Sequence, residues 1–213
     1  MVKERRKARI LMILALIVNL VIFVQEVRYF AEFMGSLRTA IVWFTFDSNI
    51  FAGVASFIMA FDLIESLVIK RKTAHRGVLL MKYAAVTGVT ITFLTVVCYL
   101  GPVVKVRGLF AGSGLYAHLL VPLEAFFSFV LLERGAKLKW YHMFIGIIPV
   151  LIYGIVYVSL VLNRVWTDHY HLMLTDPWYI SIAIVAAAFM LVALVVAGVY
   201  ALAEKIAGKK KKP

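Results

Sequence analysis

The sequence has little cysteine, little charge and few acids. A single cysteine, Cys98, stands inside an apolar run of the 213-residue chain, so neither a disulfide framework nor a multi-cysteine zinc or iron–sulfur site can form. Charged residues make up 16% of the chain, and 11 acidic side chains face 23 Lys and Arg. Ordinary soluble domains carry about 25% charge, so a soluble enzyme and a disordered tail are both excluded. Short catalytic signatures are missing as well. There is no Gly-rich phosphate loop after a strand, no HExxH, no GxSxG and no intramembrane lysine suited to a retinal Schiff base, which removes P-loop ATPases, zincins, conventional α/β-hydrolases and rhodopsin-type pigments. No internal repeat is present, and the only low-complexity stretch is the Lys209–Lys212 run. No cofactor is expected.

What the chain has is apolar length. It is 63% hydrophobic with a mean hydropathy of +0.94, and a spanning helix needs about 20 such residues. Six windows of that length occur, at residues 9–30, 44–69, 79–104, 115–133, 141–163 and 178–203. The fold class expected is therefore all-α: one transmembrane domain over 1–213, built as a bundle of six helices. The first window follows a basic cluster (Lys3, Arg5, Arg6, Lys7, Arg9) that imitates a signal-peptide start, but its apolar stretch is too long and no small-x-small cleavage site follows. It reads as a retained helix.

Cationic residues sort by side. The N-terminus, the segment Lys70 to Lys82, the turn Arg134 to Lys139 and the tail Lys205 to Lys212 hold 18 of the 23, while Arg28, Arg38, Lys105, Arg107 and Arg164 fall on the other side. By the positive-inside rule both termini are cytoplasmic, as an even span count also requires. The net charge of +12 is then a matter of topology and of contact with anionic lipid. Membrane lipids are the expected partners, and no nucleic acid is. In a eukaryotic protein the lysine tail would also resemble a dilysine retrieval signal.

Polar residues inside spans are costly and each needs a reason. On the second helix Thr45, Ser48, Asn49, Ala52, Ser56, Met59 and Ser66 fall within about 60° of one direction at about 100° per residue, while Phe51, Val54, Phe57, Ile58 and Phe61 point elsewhere. Such a small polar stripe serves helix packing or lines a site. His118 opens the fourth helix at the depth where Thr45 opens the second. A hydroxyl that attacks a carbonyl needs a base near neutrality, and imidazole is suited to that. Asp47 points away from Thr45 and favours the helix macrodipole. Asp62 and Glu65 lie beside Lys70, Arg71 and Lys72 and are expected to pair or snorkel. Glu124 is a buried acid, about 9 Å deeper than His118 at 1.5 Å per residue, with Thr87, Thr90, Thr92, Thr95, Tyr153 and Tyr157 as available partners. In the loop RVWTDHYHLMLTDP, residues Asp168, His169, His171 and Asp176 offer a weak alternative metal set, although interfacial aromatics explain much of that segment. His75 and His142 read as members of basic turns.

Phe44-Thr45-Phe46-Asp47-Ser48-Asn49 resembles the FTxxSN-type opening of the second helix in bacterial Pr6Pr-type membrane proteins. His118-Leu-Leu-Val-Pro122 resembles their HxxxP opening of the fourth; the stretch through Phe129 and Glu133, the pattern Pro149, Tyr153, Tyr157, and the loop Trp166-Thr-Asp-His-Tyr170 are similar too. Other branches carry an Asp-Trp pair where this chain has Ser128 and Phe129. The resemblance implies a bacterial plasma-membrane protein. The layout is also similar to that of the androgen-induced-gene and androgen-dependent tissue-factor-regulating proteins of animals, which hydrolyse fatty acid esters of hydroxy fatty acids with a threonine and a histidine. By position these would be Thr45 and His118.

Two functions stay open at this point. One is an intramembrane hydrolase of fatty acyl esters entering from the outer leaflet, with Thr45 as nucleophile, His118 as base and then acid, and Ser48 or Asn49 as oxyanion donors. The other is a small carrier or channel using Glu124, Asp62 and the threonine-rich third helix, with a noncatalytic scaffold as the remaining class.

Overall fold

The computed structural model of the chain describes residues 2–103, 109–171 and 177–209; Lys105, Arg107, Asp176 and Lys210 to Lys212 lie outside them. All regular structure among the described residues is helical. Six long elements follow in order: α1 Val2–Phe33, α2 Phe44–Val68, α3 Arg76–Leu94, α4 Val121–Leu131, α5 Ile148–Leu162 and α6 Trp178–Lys209. Among the described residues five apolar helical stretches are long enough to cross a membrane, and a sixth is added when Trp140–Gly146 and Ile148–Leu162, bent by 46°, are taken as one span.

That bend corrects the expectation of a continuous helix over 141–163. Pro149 lies in the first turn of α5, where its missing N–H costs nothing. Four residues earlier, its ring displaces the Ile145 carbonyl from a straight helical path. The same chemistry acts on α4. Pro122 supplies no hydrogen to the His118 carbonyl four residues back, and the turn before it, Tyr116–Leu120, widens into a π-helix. A second π-segment, Thr95–Leu100, extends α3 just before Pro102. π-segments of this kind are frequent at functional sites.

The stripe expected on α2 is present. Ser48, Asn49, Ala52, Ser56, Met59 and Ser66 are all buried, whereas Val54, Phe57, Ile58 and Phe61 are exposed. Burial of the small face lets α1 approach closely: a Cβ built on Gly53 would stand 2.6 Å from the Glu26 Cβ, so only glycine fits. On α1 the buried residues Met12, Ala15, Asn19, Ile22, Glu26 and Tyr29 follow the same three- and four-residue spacing. α1 to α4 thus enclose one apolar core, to which α6 adds Val196, Ala197 and Tyr200 by packing on α3 and α4, while α5 packs on α2 and α3.

The bundle has two chemically different ends. At the basic end, the connection after α2 folds back so that Asp62 receives Arg71 Nη2 at 3.0 Å and the His75 backbone N–H at 2.7 Å. Asp62 also pairs with the His75 ring at 2.5 Å. The turn after α4 is held at that end as well, by Glu204 on the Gly135 N–H (2.7 Å) and Tyr200 on the Ala136 N–H (3.0 Å). The opposite, loop end carries residues 34–43, 109–112 and 163–171.

Lys82 departs from its expected place. Counted from sequence among the basic-side surface residues, it is fully buried on α3, and its Nζ donates to Ser56 Oγ on α2 at 2.6 Å. The bundle therefore does hold an interior lysine, although it lines neither of the two described cavities. Glu133, also buried, accepts from Asn19 Nδ2 (2.8 Å) and Ser128 Oγ (2.9 Å). Buried polar contacts thus join α2 to α3 through Lys82, and α1 to the end of α4 through Glu133.

Candidate functional site

Thr45 stands in the first turn of α2, His118 in the π-turn that leads into α4, and both line one cavity of about 890 Å³ at the loop end. The cavity runs between the start of α2, the π-extension of α3, α5 and the first half of α6. Its volume falls within the range of about 300–1,000 Å³ usual for small-molecule sites. No hydrogen bond joins Thr45 to His118 among the described residues. Separations in an unliganded site commonly tighten only when substrate is bound.

Two local arrangements orient the histidine. His118 Nδ1 lies 2.6 Å from the Leu109 carbonyl, which can only accept. Nδ1 must therefore carry the proton, and Nε2 keeps its lone pair. Asn49, fully buried one turn below Thr45, donates from Nδ2 to the Thr45 carbonyl at 2.7 Å and to the Ala117 carbonyl at 3.1 Å. One side-chain amide thereby holds the backbone of Thr45 against the backbone next to His118.

This arrangement revises the roles expected for Ser48 and Asn49. Both Asn49 amide hydrogens are engaged by backbone carbonyls. Ser48 Oγ is shared between the Thr45 carbonyl (3.2 Å) and Thr92 Oγ1 (2.8 Å). A donor already spent on a buried carbonyl is not free for a developing oxyanion. An unspent donor lies nearer. At the start of α2 the Phe44 N–H goes to the Tyr170 hydroxyl at 2.9 Å and the Phe46 and Asp47 N–H groups go to the Trp43 carbonyl, whereas the Thr45 N–H has no partner among the described residues. It also sits at the positive end of a 25-residue helix.

The loop after α5 closes the cavity with a set of tyrosines. Tyr153 donates to the Val42 carbonyl (2.6 Å), Tyr157 donates to Asp168 (2.8 Å) and accepts the Tyr170 N–H (3.1 Å), and Tyr99 donates to the Tyr170 carbonyl (3.3 Å). Tyr170 is thus fixed by its own backbone and caps the helix that carries Thr45. Of the alternative metal set Asp176 lies outside the described residues, and Asp168, His169 and His171 form no converging group among the described residues. The Asp168 carboxylate accepts from Tyr157, and the His169 ring lies against Trp43 with centroids 4.9 Å apart. The trio that does converge among the described residues is Asp62, Glu65 and His75 at the basic end, and the Arg71 guanidinium already sits on both of its carboxylates.

Glu124 is elsewhere. Its Oε1 accepts from Gln25 Nε2 on α1 at 3.3 Å rather than from any of the expected hydroxyls, and it lines a separate cavity of about 330 Å³ between α1 and α4. Thr87 and Thr90 turn their hydroxyls to their own helix, onto the Tyr83 and Val86 carbonyls, and Thr92 to Ser48. Sequence reasoning passed over Asn19, Gln25 and Glu26. The signal available was the seven-residue spacing of Asn19 and Glu26, which puts both on one face of α1.

Gly114 provides a handle on the histidine. A Cβ there would stand 2.6 Å from the Leu109 carbonyl and 3.5 Å from His118 Nδ1. Gly114→Ala is expected to push that carbonyl off Nδ1 and release the imidazole. On the reading developed below, turnover should fall by roughly 10²-fold with KM little changed; an unchanged kcat would show that the Leu109 contact does not position His118.

No protein-family model, no curated protein and no solved structure matches the chain.

Proposed function

We propose that this protein is an integral membrane hydrolase of fatty acyl esters, with Thr45 as nucleophile and His118 as general base and acid. The observation that carries the reading is the shared cavity. A threonine whose N–H has no partner among the described residues and a histidine whose Nε2 has none among them line the same large apolar space.

The chemistry then runs as an acyl transfer. Thr45 Oγ1 attacks the ester carbonyl carbon as His118 Nε2 takes its proton. The carbonyl electron pair moves onto oxygen, where the Thr45 N–H and the α2 dipole face the developing charge. Collapse breaks the bond to the alcohol oxygen, which leaves with the proton from Nε2, and an acyl-threonine remains. Water activated by the same nitrogen attacks that ester, the acid departs, and Thr45 regains its proton. Asn49 and Tyr170 act by position, one fixing the α2 backbone to the π-turn and the other holding the helix start. In a membrane, the gathering of cations at the opposite end orients the cavity toward the outer leaflet and leaves both termini in the cytoplasm.

A carrier would need its polar groups to form a path. Here Glu124, Asp62 and the α3 hydroxyls are bound in three separate places, which favours the enzyme. The test is covalent. A long-chain fluorophosphonate incubated with the purified full chain should lose fluoride and form a phosphonyl adduct, and peptide mass analysis should place it on Thr45. An adduct on another residue, or none, overturns the assignment.

A further inference from the structure

Part of the cavity lies between α5 and α6. Along α6 the residues Ser181, Ile182, Val185, Ala186 and Phe189 recur at the helical period and line it. They are half-buried, and the first fully buried residue of that helix, Ala193, comes one turn later. α6 packs on α3 and α4 and α5 packs on α2 and α3, with little direct contact between the two, so this face of α6 has a space where a protein neighbour would be. Two glycines within 140–162 mark the limits of that space. A Cβ on Gly154 would meet nothing within 4 Å, whereas one on Gly146 would stand 2.8 Å from the Tyr83 hydroxyl. The gap is therefore open beside Gly154 and shut beside Gly146, nearer the basic end. Phe189 shuts the same end from α6, where it packs against the cluster of Phe44, Ile91 and Val150. Leu151 and Ile155 line the cavity and are also exposed, so the space opens sideways between the two helices. Every residue of this floor and of these walls lies within the described helices.

A slot walled mostly by hydrocarbon side chains, shut at one end and open along its side to a bilayer, suits one extended hydrocarbon chain. Trp178 and Phe189, which line its two ends on α6, are 11 residues apart, about 16 Å at about 1.5 Å per residue. An extended chain advances about 1.2 Å per bond, so about 13 bonds fit. We propose that α5 and α6 hold a single unbranched acyl chain of about 12–14 carbons, entering sideways from the bilayer, and that Phe189 is the floor that sets its length. A longer chain has to fold back or push Phe189 into the Ile91–Val150 cluster, and overpacking a filled core is costly. A shorter one leaves lining atoms without neighbours. That the chain is presented as an ester rests on the hydrolase reading above; the slot itself does not.

The test is a competition for the slot among uncleavable ligands. The full chain in detergent is given an equimolar mixture of monoalkyl glycerol ethers with chains from about 8 to about 20 carbons, bracketing the fitted length, and the bound masses are read by native mass spectrometry. Occupancy should peak at about 12–14 carbons and fall at least about fivefold by about 18, where the chain outgrows the slot. Phe189→Ala should move the peak up by about 3–4 carbons, the length that the lost ring gives back at about 1.2 Å per bond. Phe189→Leu carries the same test with a smaller shift if the alanine variant does not fold. Gly154→Phe places a ring in open space and should cut occupancy at least about tenfold at every length, because an overfilled slot excludes the chain. Occupancy that climbs steadily with chain length, as simple partition would give, overturns the proposal. So does a peak that stays in place in a folded Phe189 variant, or occupancy that survives Gly154→Phe. If the peak and its shift are found while wild-type protein cleaves no ester, the hydrolase reading fails and the slot stands. If esters are cleaved without regard to chain length, the slot fails and the hydrolase stands.

Discussion

Thr45→Ala is expected to reduce ester cleavage by the purified protein to the uncatalysed background, and to abolish fluorophosphonate labelling, while the fold survives. The side chain supports the expectation that the change is clean. Hydrogen bonds within the bundle use the Thr45 carbonyl, from Ser48 and Asn49, and none among the described residues uses its hydroxyl. Removing Oγ1 therefore leaves no buried group unsatisfied, and thermal stability should shift little, by about 0.5 kcal/mol or less. Thr45→Ser keeps the nucleophilic oxygen and should retain cleavage. His118→Ala should slow cleavage by about 10²–10⁴-fold, the usual worth of a positioned base, without loss of ligand binding. Cleavage that persists in Thr45→Ala at the wild-type rate would remove the nucleophile from the mechanism. Equal loss in Thr45→Ser would show that the methyl or backbone, rather than the oxygen, is what matters.

The second large effect concerns stability and the other end of the molecule. Lys82→Ala deletes the only donor to Ser56 Oγ among the described residues, in the buried contact that joins α2 and α3. Leaving that buried hydroxyl unpaired costs about 1–3 kcal/mol, and the emptied side-chain volume adds a cavity cost of about 2–5 kcal/mol. The melting temperature in detergent should fall sharply. Lys82→Met keeps most of the volume and should recover the cavity part of the loss. A Lys82→Met variant as unstable as Lys82→Ala would mean that the hydrogen bond to Ser56, and not packing around the side chain, holds the two helices.

These two sites contrast in how far they can be read from the chain. The α2 stripe and the apolar windows are legible in sequence because each is a local matter: hydrocarbon solvent demands an apolar outer face, and helical period sorts the remainder. The equal depth of Thr45 and His118 follows from the same counting, and both line one cavity. Pairing does not follow. Asn49 reaches Ala117 across 68 positions and Asn19 reaches Glu133 across 114, and no periodicity records which helix faces which. For that reason Asn49 reads as an oxyanion donor in sequence and is a backbone clamp in the structure. Glu124 likewise finds Gln25 instead of a threonine, and Lys82 passes for a surface cation.

Sequence by itself determined that this chain is helical, apolar enough for five or six membrane crossings, and polar at only a few interior positions, because composition and period report the solvent each residue must face. Tertiary structure alone decided which of those interior groups keep a free donor or lone pair. That depends on partners contributed by distant helices, and it separates Thr45 and His118, open to a cavity, from Ser48, Asn49 and Lys82, whose hydrogen bonds hold the bundle together.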